Sequence, residues 1–105
     1  MYQKGQGVTR DQKEAVRWYR KAAEQGDAYA QYWLGEMYRD GEGVVQDLVM
    51  AYVWHNVAIA NGVPWEPKSR DKALARANPS ERRLAVKLSR QCFEKPASCP
   101  KYSYQ

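Results

Sequence analysis

The chain has 105 residues and a net charge of +5, and hydrophobic residues make up 44% of it. A chain of this length can bury the core of one domain, and its hydrophobic content excludes an intrinsically disordered protein. No stretch approaches the roughly 20 consecutive apolar residues that a membrane-spanning helix needs, so the sequence predicts no membrane span.

The sequence contains an internal repeat with a period of 36 residues and no gap. MYQKGQGV at residues 1–8 returns as MYRDGEGV at residues 37–44, and the two copies agree at ten of 27 positions. The matching positions of the first copy are Met1, Tyr2, Gly5, Gly7, Val8, Asp11, Ala15, Trp18, Ala22 and Gly26. A repeat of this length is typical of solenoid proteins, in which each unit packs only against its neighbours.

The first predicted helix follows the first glycine pair. Ala15, Trp18 and Ala22 recur at intervals of three and four residues, which places them on one stripe of a helix. We therefore expect Trp18 to lie on the buried edge of this helix. Gly26 occupies the position at which a residue with left-handed backbone ends a helix.

A second helix is predicted from about Ala28 to Arg39, with Asp27 as its N-cap. Gly35 lies inside this helix, where glycine costs about 1 kcal/mol relative to alanine. Its presence therefore indicates the close approach of a neighbouring helix.

The second glycine pair, Gly41 and Gly43, separates the second helix from a third one. Both glycines are predicted to have positive φ, which lets the chain reverse between two antiparallel helices. The third helix repeats the stripe of the first with Ala51, Trp54 and Ala58 and ends before the glycine that follows it. We expect Trp54 to lie in the seam between helices.

The last predicted helix has the clearest start signal in the chain. Asn78 is suited to the N-cap position, Pro79 to the first helical position and Glu81 to the first turn. The predicted inner face of this helix consists of Leu84, Ala85, Leu88 and Cys92. Arg83 and Arg90 are expected to point away from it.

The residues of the repeat closely resemble the Sel-one-like repeat (SLR) family, a relative of the tetratricopeptide repeats. The positions that carry this resemblance are Ala30, Leu34, Gly35, Tyr38, Gly41, Gly43, Val44, Asp47, Ala51, Trp54, Ala58 and Gly62. The resemblance implies an all-α fold, a right-handed α-solenoid of antiparallel helix pairs. It divides one domain, residues 1–105, into a partial first repeat (1–27), a full repeat (28–63), a degenerate capping hairpin (64–95) and a tail (96–105).

The first copy lacks the first helix of its hairpin, so its remaining helix is expected to expose apolar surface. Such surface would be covered by more of a longer solenoid or by self-association of the chain. The sequence alone does not separate these alternatives.

The resemblance also implies a concave surface that binds a protein or peptide partner without catalysis and without a cofactor. Carried over onto this sequence, the partner-binding positions are Tyr29, Tyr32, Glu36, Arg39 and Asp40, followed one period later by Trp65, Lys68, Lys72 and Arg76. Aromatic side chains beside charged ones are enriched at protein interfaces. The alternative is that Tyr29 and Tyr32 only pack between hairpins.

Other functions are less favoured by the sequence. His55 is the only histidine, and no cysteine, histidine or carboxylate cluster around it has metal-ligand spacing, so its predicted role is structural. Nucleic-acid binding would use the basic residues Arg82, Arg83, Lys87 and Arg90 with the nearby aromatic residues Tyr102 and Tyr104. A cell-wall-related or β-lactam-binding role in the bacterial envelope rests only on cysteine-rich relatives of the family.

Cys92 and Cys99 lie at the C-terminal edge, where Pro96 and Pro100 stop the last helix. A disulfide between them would fold the tail back onto that helix, and terminal cysteine pairs of this kind occur in exported members of the family. Two reduced thiols in a cytoplasmic protein are the alternative. We expect a periplasmic or secreted protein if a signal peptide lies upstream, and a cytoplasmic one otherwise.

Overall fold

The computed structural model describes residues 8–63, 75 and 77–103. These residues form four α-helices and a short 3-10 helix, and they contain no β-strand. The α-helices are α1 (Val8–Glu24), α2 (Ala28–Asp40), α3 (Leu48–Ala60) and α4 (Pro79–Glu94), and the 3-10 helix is Pro96–Ser98. The all-α class is thus confirmed for the described part of the chain. The right-handed solenoid and the capping role of the last hairpin stay predictions.

Helices α2 and α3 form an antiparallel pair. Where α2 ends and α3 begins, the backbone N–H of Asp47 donates to the carbonyl oxygen of Tyr38 at 3.0 Å. At the opposite end of the pair, the amide Nδ2 of Asn61 donates to Oε1 of Gln31 at 2.9 Å. The two helices therefore run in opposite directions along their whole length, as the helical hairpin of the repeat requires.

Gly35 lies where α2 approaches α3 most closely. A Cβ atom at this position would lie 2.5 Å from Cδ2 of His55 and 3.1 Å from the carbonyl oxygen of Ala51. Overlap of this kind in a packed core costs about 1 to 3 kcal/mol, which is more than the helix propensity that alanine would add. The predicted close approach of a neighbouring helix is confirmed.

The two glycines of the turn between α2 and α3 have different roles. Gly41, with φ of 71°, is the C-cap of α2, and its N–H donates to the carbonyl oxygen of Met37 at 2.8 Å. Gly43, with φ of 76°, lies directly against the backbone carbonyl of Gln12 in α1, so a Cβ atom there would overlap with it. The first glycine therefore reverses the chain, and the second lets the turn contact the helix of the preceding copy.

Short polar side chains cap α2 and α4 as predicted, whereas α1 begins at Val8 and so does not start at Asp11. Asp27 accepts a hydrogen bond from the N–H of Ala30 at 3.0 Å and so caps α2. Asn78 and Glu81 form a reciprocal capping box at the start of α4, with hydrogen bonds of 2.8 and 2.9 Å. These contacts satisfy backbone donors that have no partner inside the helix.

The core lies mainly between α2 and α3 and is closed by α4. Its largest fully buried side chains are those of Trp54, Tyr38, Leu34, Met50, His55, Gln31, Val53, Val57 and Cys92. On α4, the predicted inner face is confirmed, since Ala85, Leu88 and Cys92 are buried and Leu84 packs against the core. Arg83 and Arg90 are exposed, also as predicted. The preceding part of the capping hairpin, residues 64–74 and 76, lies outside the described residues.

The two equivalent tryptophans of the repeat have opposite environments. Trp54 is completely buried, whereas Trp18 is 67% exposed, so the prediction that Trp18 lies on a buried edge is wrong. The reason is that α1 packs against α2 and the tail on one side, and no described helix covers the other side. The ammonium group of Lys21 lies 5.8 Å from the centre of the exposed ring. Self-association through this helix stays a prediction.

Residues 95–103, which include the described part of the C-terminal tail, fold back across the helices. We call this segment the tail strap. Cys92 of α4 and Cys99 of the strap form the predicted disulfide, with their sulfur atoms 2.02 Å apart. Further along, the hydroxyl of Tyr38 donates to the carbonyl oxygen of Lys101. The strap thereby connects the last helix to the full repeat. The sequence predicted the disulfide but not the contact with Tyr38.

None of the described helices is both long enough and apolar enough to cross a membrane.

Candidate partner-binding surface

The predicted partner-binding residues that the structure describes share one face of α2. They are Tyr29, Tyr32, Glu36, Arg39 and Asp40, and Trp33 lies among them. The spacing of three and four residues along a helix brings these positions together. The opposite face holds the buried residues Ala30, Gln31, Leu34, Gly35 and Tyr38. We call the outer set, including Trp33, the α2 surface. The remaining predicted positions, Trp65, Lys68, Lys72 and Arg76, lie outside the described residues.

Aromatic rings make up the N-terminal half of the α2 surface. Tyr29 is 53% exposed and Trp33 is 47% exposed. The ring of Tyr32 is half-buried, stacks on the imidazole of His55 with centroids 4.9 Å apart, and meets Trp33 edge-on at 5.4 Å. Tyr32 therefore contributes to packing as well as to the surface, whereas Tyr29 has more exposure than a residue packed between hairpins would have.

The sequence interpretation missed Trp33. This residue directly precedes Leu34 and Gly35, and it follows Tyr29 by four residues, so helical spacing alone places it on the same face. Trp33 is not one of the partner-binding positions that the repeat family implies. The structure shows it as one of the two most exposed aromatic side chains of α2.

Charged side chains make up the C-terminal half of the α2 surface. The guanidinium of Arg39 lies 2.5 Å from Oε1 of Glu36 and 3.1 Å from Oδ1 of Asp40. These three side chains form a connected network with two acidic groups and one basic group. This half of the α2 surface is therefore its acidic half.

Beneath this network, His55 of α3 contacts Glu36 of α2. The Nε2 atom of His55 lies 3.0 Å from Oε2 of Glu36, and the two atoms do not form a regular hydrogen bond. Burial, with a smaller contribution from the positive charge of Arg39, lowers the pKa of His55 to about 4. Burial is also the largest cause that raises the pKa of Glu36 above its usual value. The imidazole is therefore neutral at neutral pH, and the contact is not an ion pair.

The burial of a neutral His55 predicts a loss of stability in mild acid. Unfolded histidine binds a proton near pH 6.5, whereas the folded state binds it only near pH 4, so the free energy of unfolding falls as the pH is lowered through this window. We expect a loss of about 1 to 2 kcal/mol between pH 7 and pH 5, because one proton gives at most about 1.4 kcal/mol per pH unit. The raised pKa of Glu36 acts in the opposite direction and offsets part of it.

Urea unfolding at several pH values checks this prediction. A His55→Gln variant is the control, since it removes the titrating ring and should show a flatter dependence on pH whatever its absolute stability. An equally steep dependence in the variant would assign the effect to other groups.

His55 lies under Tyr32 and is 1% exposed, so it is a buried residue of the core. Its Nδ1 atom is buried and has no hydrogen-bond partner among the described residues. Within the described ranges, no three histidine, cysteine or acidic side chains are grouped so that they could hold a metal ion. Close to His55, the groups that could affect its charge are Glu36, Arg39 and Asp40.

The residues proposed for nucleic-acid binding do not come together as that hypothesis needs. The basic side chains of Arg83, Lys87 and Arg90 are exposed on α4. Tyr102, however, is held on the core side, where its ring meets Tyr38 edge-on at 5.9 Å. Tyr104 lies outside the described residues. Tyr102 is therefore not placed beside the α4 cations as that hypothesis needs.

Comparison with known proteins connects this geometry to a family. A family model described as the Sel1 repeat matches two consecutive segments, residues 1–27 and 28–63. The second segment contains both helices of the antiparallel pair and the whole α2 surface. No curated protein and no solved structure matches the chain significantly.

Proposed function

Because this chain belongs to the Sel1 repeat family, whose repeats are generally protein–protein interaction modules, we propose that it binds a peptide or protein partner on the α2 surface. Members of the family are typically non-catalytic scaffolds, and we propose the same role here. The bound segment would lie along α2 without chemical change to either protein.

The observation that carries this proposal is the exposed aromatic pair, Tyr29 and Trp33, on one face of a helix that is otherwise anchored in the core. Large aromatic side chains supply much of the binding energy at protein interfaces, particularly where neighbouring groups hold them in place. Tyr32 provides that support, because its ring lies between His55 and Trp33.

The charges of the α2 surface favour a particular kind of partner. Glu36 and Asp40 already share Arg39, so the network has one acidic charge in excess. A partner segment with an apolar or aromatic side chain followed by a basic one would match both halves of the surface. Trp65, Lys68, Lys72 and Arg76 are proposed as further partner-binding positions, and the three basic ones would favour acidic groups on the partner.

Affinity capture with paired variants tests the proposal. The full chain and a Tyr29→Ala/Trp33→Ala variant are used as bait in extracts of the source organism, and bound proteins are quantified by mass spectrometry. We expect the specific partner to be lost from the variant, because removal of two interface aromatic residues typically weakens binding by more than about 2 kcal/mol.

A matched control is available on α4, where Val86 and Phe93 are 60% and 47% exposed. The Val86→Ala/Phe93→Ala variant removes a comparable exposed apolar area away from the α2 surface and should retain the partner. Equal loss from both variants, or retention by both, would contradict binding at the α2 surface. Far-UV circular dichroism of all three proteins shows whether the helices are intact.

A further inference from the structure

A cleft of about 820 Å³ lies apart from the α2 surface. It is bounded on one side by α1 and on the other by Gly41 and residues 43–45 of the turn after α2 and by the tail strap. Its volume falls within the range of about 300 to 1000 Å³ that ligand-binding pockets occupy. We call it the tail cleft.

Among the residues that the structure describes, the lining of the tail cleft is basic and includes no acidic side chain. Its cationic side chains are Lys13, Arg17, Arg20 and Lys101. Arg17 forms an ion pair of 2.8 Å with Glu14, which lies outside the lining. Lys13 on α1 and Lys101 on the strap form no ion pair with any residue that the structure describes. One uncompensated ammonium group therefore lies on each wall.

Arg20 has a different role, since its hydrogen-bonding groups are already used. Its Nε atom lies 2.6 Å from Oε2 of Glu24, and its terminal nitrogens donate to the carbonyl oxygens of Cys99 and Pro100. Arg20 thus joins α1 to the tail strap and sets the separation of the two walls. It is not available to bind a ligand.

The wall formed by the tail strap is held in a defined position. The hydroxyl of Tyr102 accepts a hydrogen bond from the N–H of Val45 at 3.1 Å. The N–H and hydroxyl of Ser103 donate to the carboxylate of Asp47, which also caps α3, at 2.8 and 3.0 Å. Together with the disulfide, these bonds make the cleft largely preformed, which reduces the entropy lost on binding.

The tail cleft is also lined by apolar side chains. Val16 of α1 and Val44 of the turn line the cleft and are partly buried against the core. A ligand must therefore combine apolar groups with negative charge. An acidic peptide segment has both, since its carboxylates and apolar side chains alternate along the chain.

We propose that the tail cleft binds a short acidic peptide segment, with carboxylates directed to Lys13 and Lys101 and apolar side chains against Val16 and Val44. A nucleic acid is less well matched, because single-strand binding uses exposed aromatic faces on which bases stack. In this cleft Tyr38 is 1% exposed and its ring meets that of Tyr102 edge-on. This site is separate from the partner-binding surface proposed for α2.

The test is an NMR titration of the ¹⁵N-labelled full chain with an acetylated decapeptide of alternating leucine and glutamate. We expect the largest amide shifts at Lys13, Val16, Val44 and Lys101. The Lys13→Glu/Lys101→Glu variant should bind roughly tenfold more weakly, because it replaces two attractions by two repulsions. The Lys87→Glu/Arg90→Glu variant, with the same change of net charge on exposed α4 positions, should bind like the unmodified chain.

Several results would overturn the proposal. Equal weakening in both charge variants would show attraction by net charge alone, and shifts centred on Tyr29 and Trp33 would show that the peptide occupies the α2 surface. Tighter binding of a short oligothymidylate to the same cleft residues would indicate a nucleic-acid site. Retention of the partner by the Tyr29→Ala/Trp33→Ala variant would contradict binding at the α2 surface but would not affect the tail cleft, so the two proposals can fail independently.

Discussion

Replacing Trp54 by alanine is expected to lower the free energy of unfolding by about 3 to 5 kcal/mol. The indole extends from α3 and is completely buried in the core. Its deletion leaves a cavity that the closely packed helices cannot fill. The guanidinium of Arg20 lies 5.6 Å from the ring centre, so the contact between α1, the tail strap and the core is weakened as well. In a domain of ordinary stability, this loss is a large part of the whole free energy of unfolding.

Urea unfolding followed by circular dichroism measures this effect, and the repeat itself provides the control. Trp18 occupies the equivalent position of the first copy but is 67% exposed, so Trp18→Ala should cost less than about 1 kcal/mol. Similar losses for both variants, or a loss below about 1 kcal/mol for Trp54→Ala, would contradict the packing described here.

A second tryptophan variant separates the ring from its polar atom. The Nε1 atom of Trp54 has no hydrogen-bond partner among the described residues. Trp54→Phe therefore removes part of the ring volume without breaking a hydrogen bond, and its cost should fall well below that of Trp54→Ala.

Removing the disulfide between Cys92 and Cys99 is expected to cost about 2.5 kcal/mol by the chain-entropy estimate for a loop of this length. Both cysteines are buried, so serine at either position also places a hydroxyl in an apolar site. The tail strap should separate from the helices only in part, because the packing of Tyr102 and the hydrogen bonds of Ser103 and Arg20 remain. Stability of the Cys92→Ser/Cys99→Ser variant is compared with that of the oxidised chain.

The unmodified chain with and without a reducing agent provides the internal control. Reduction should lower the stability of the unmodified chain to near that of the double variant and should leave the variant unchanged. Intact mass measured before and after reduction and alkylation establishes the starting redox state. A fully oxidised chain whose stability does not respond to reduction would show that the strap is held by its other contacts alone.

Much of the fold was predictable because it depends on chemistry within a few residues. The N-caps Asp27 and Asn78 act on backbone donors of the next turn, and Gly41 and Gly43 have the positive φ that their turn requires. Each of these effects involves neighbours in the chain, so the sequence contains the whole interaction. The predicted extent of α2 differs from the observed one by a single residue.

The candidate site was predicted less completely. The α2 surface follows from helical spacing, and five of its six residues were identified in advance, but the support of Tyr32 by His55 was not. That contact joins positions from two helices and depends on how closely Gly35 lets them approach. The tail cleft likewise combines α1, a turn and the C-terminal strap, which are far apart in sequence.

The amino-acid sequence by itself determined the helices, their caps, the repeat and the cysteines available for pairing, because these depend on local spacing and residue type. Only the tertiary structure decided which of two equivalent tryptophans is buried and where the tail lies. Burial depends on what covers a side chain, and the helices that surround Trp54 have no described counterpart over Trp18. The same residue at the same repeat position therefore contributes to the core in one copy and to the surface in the other.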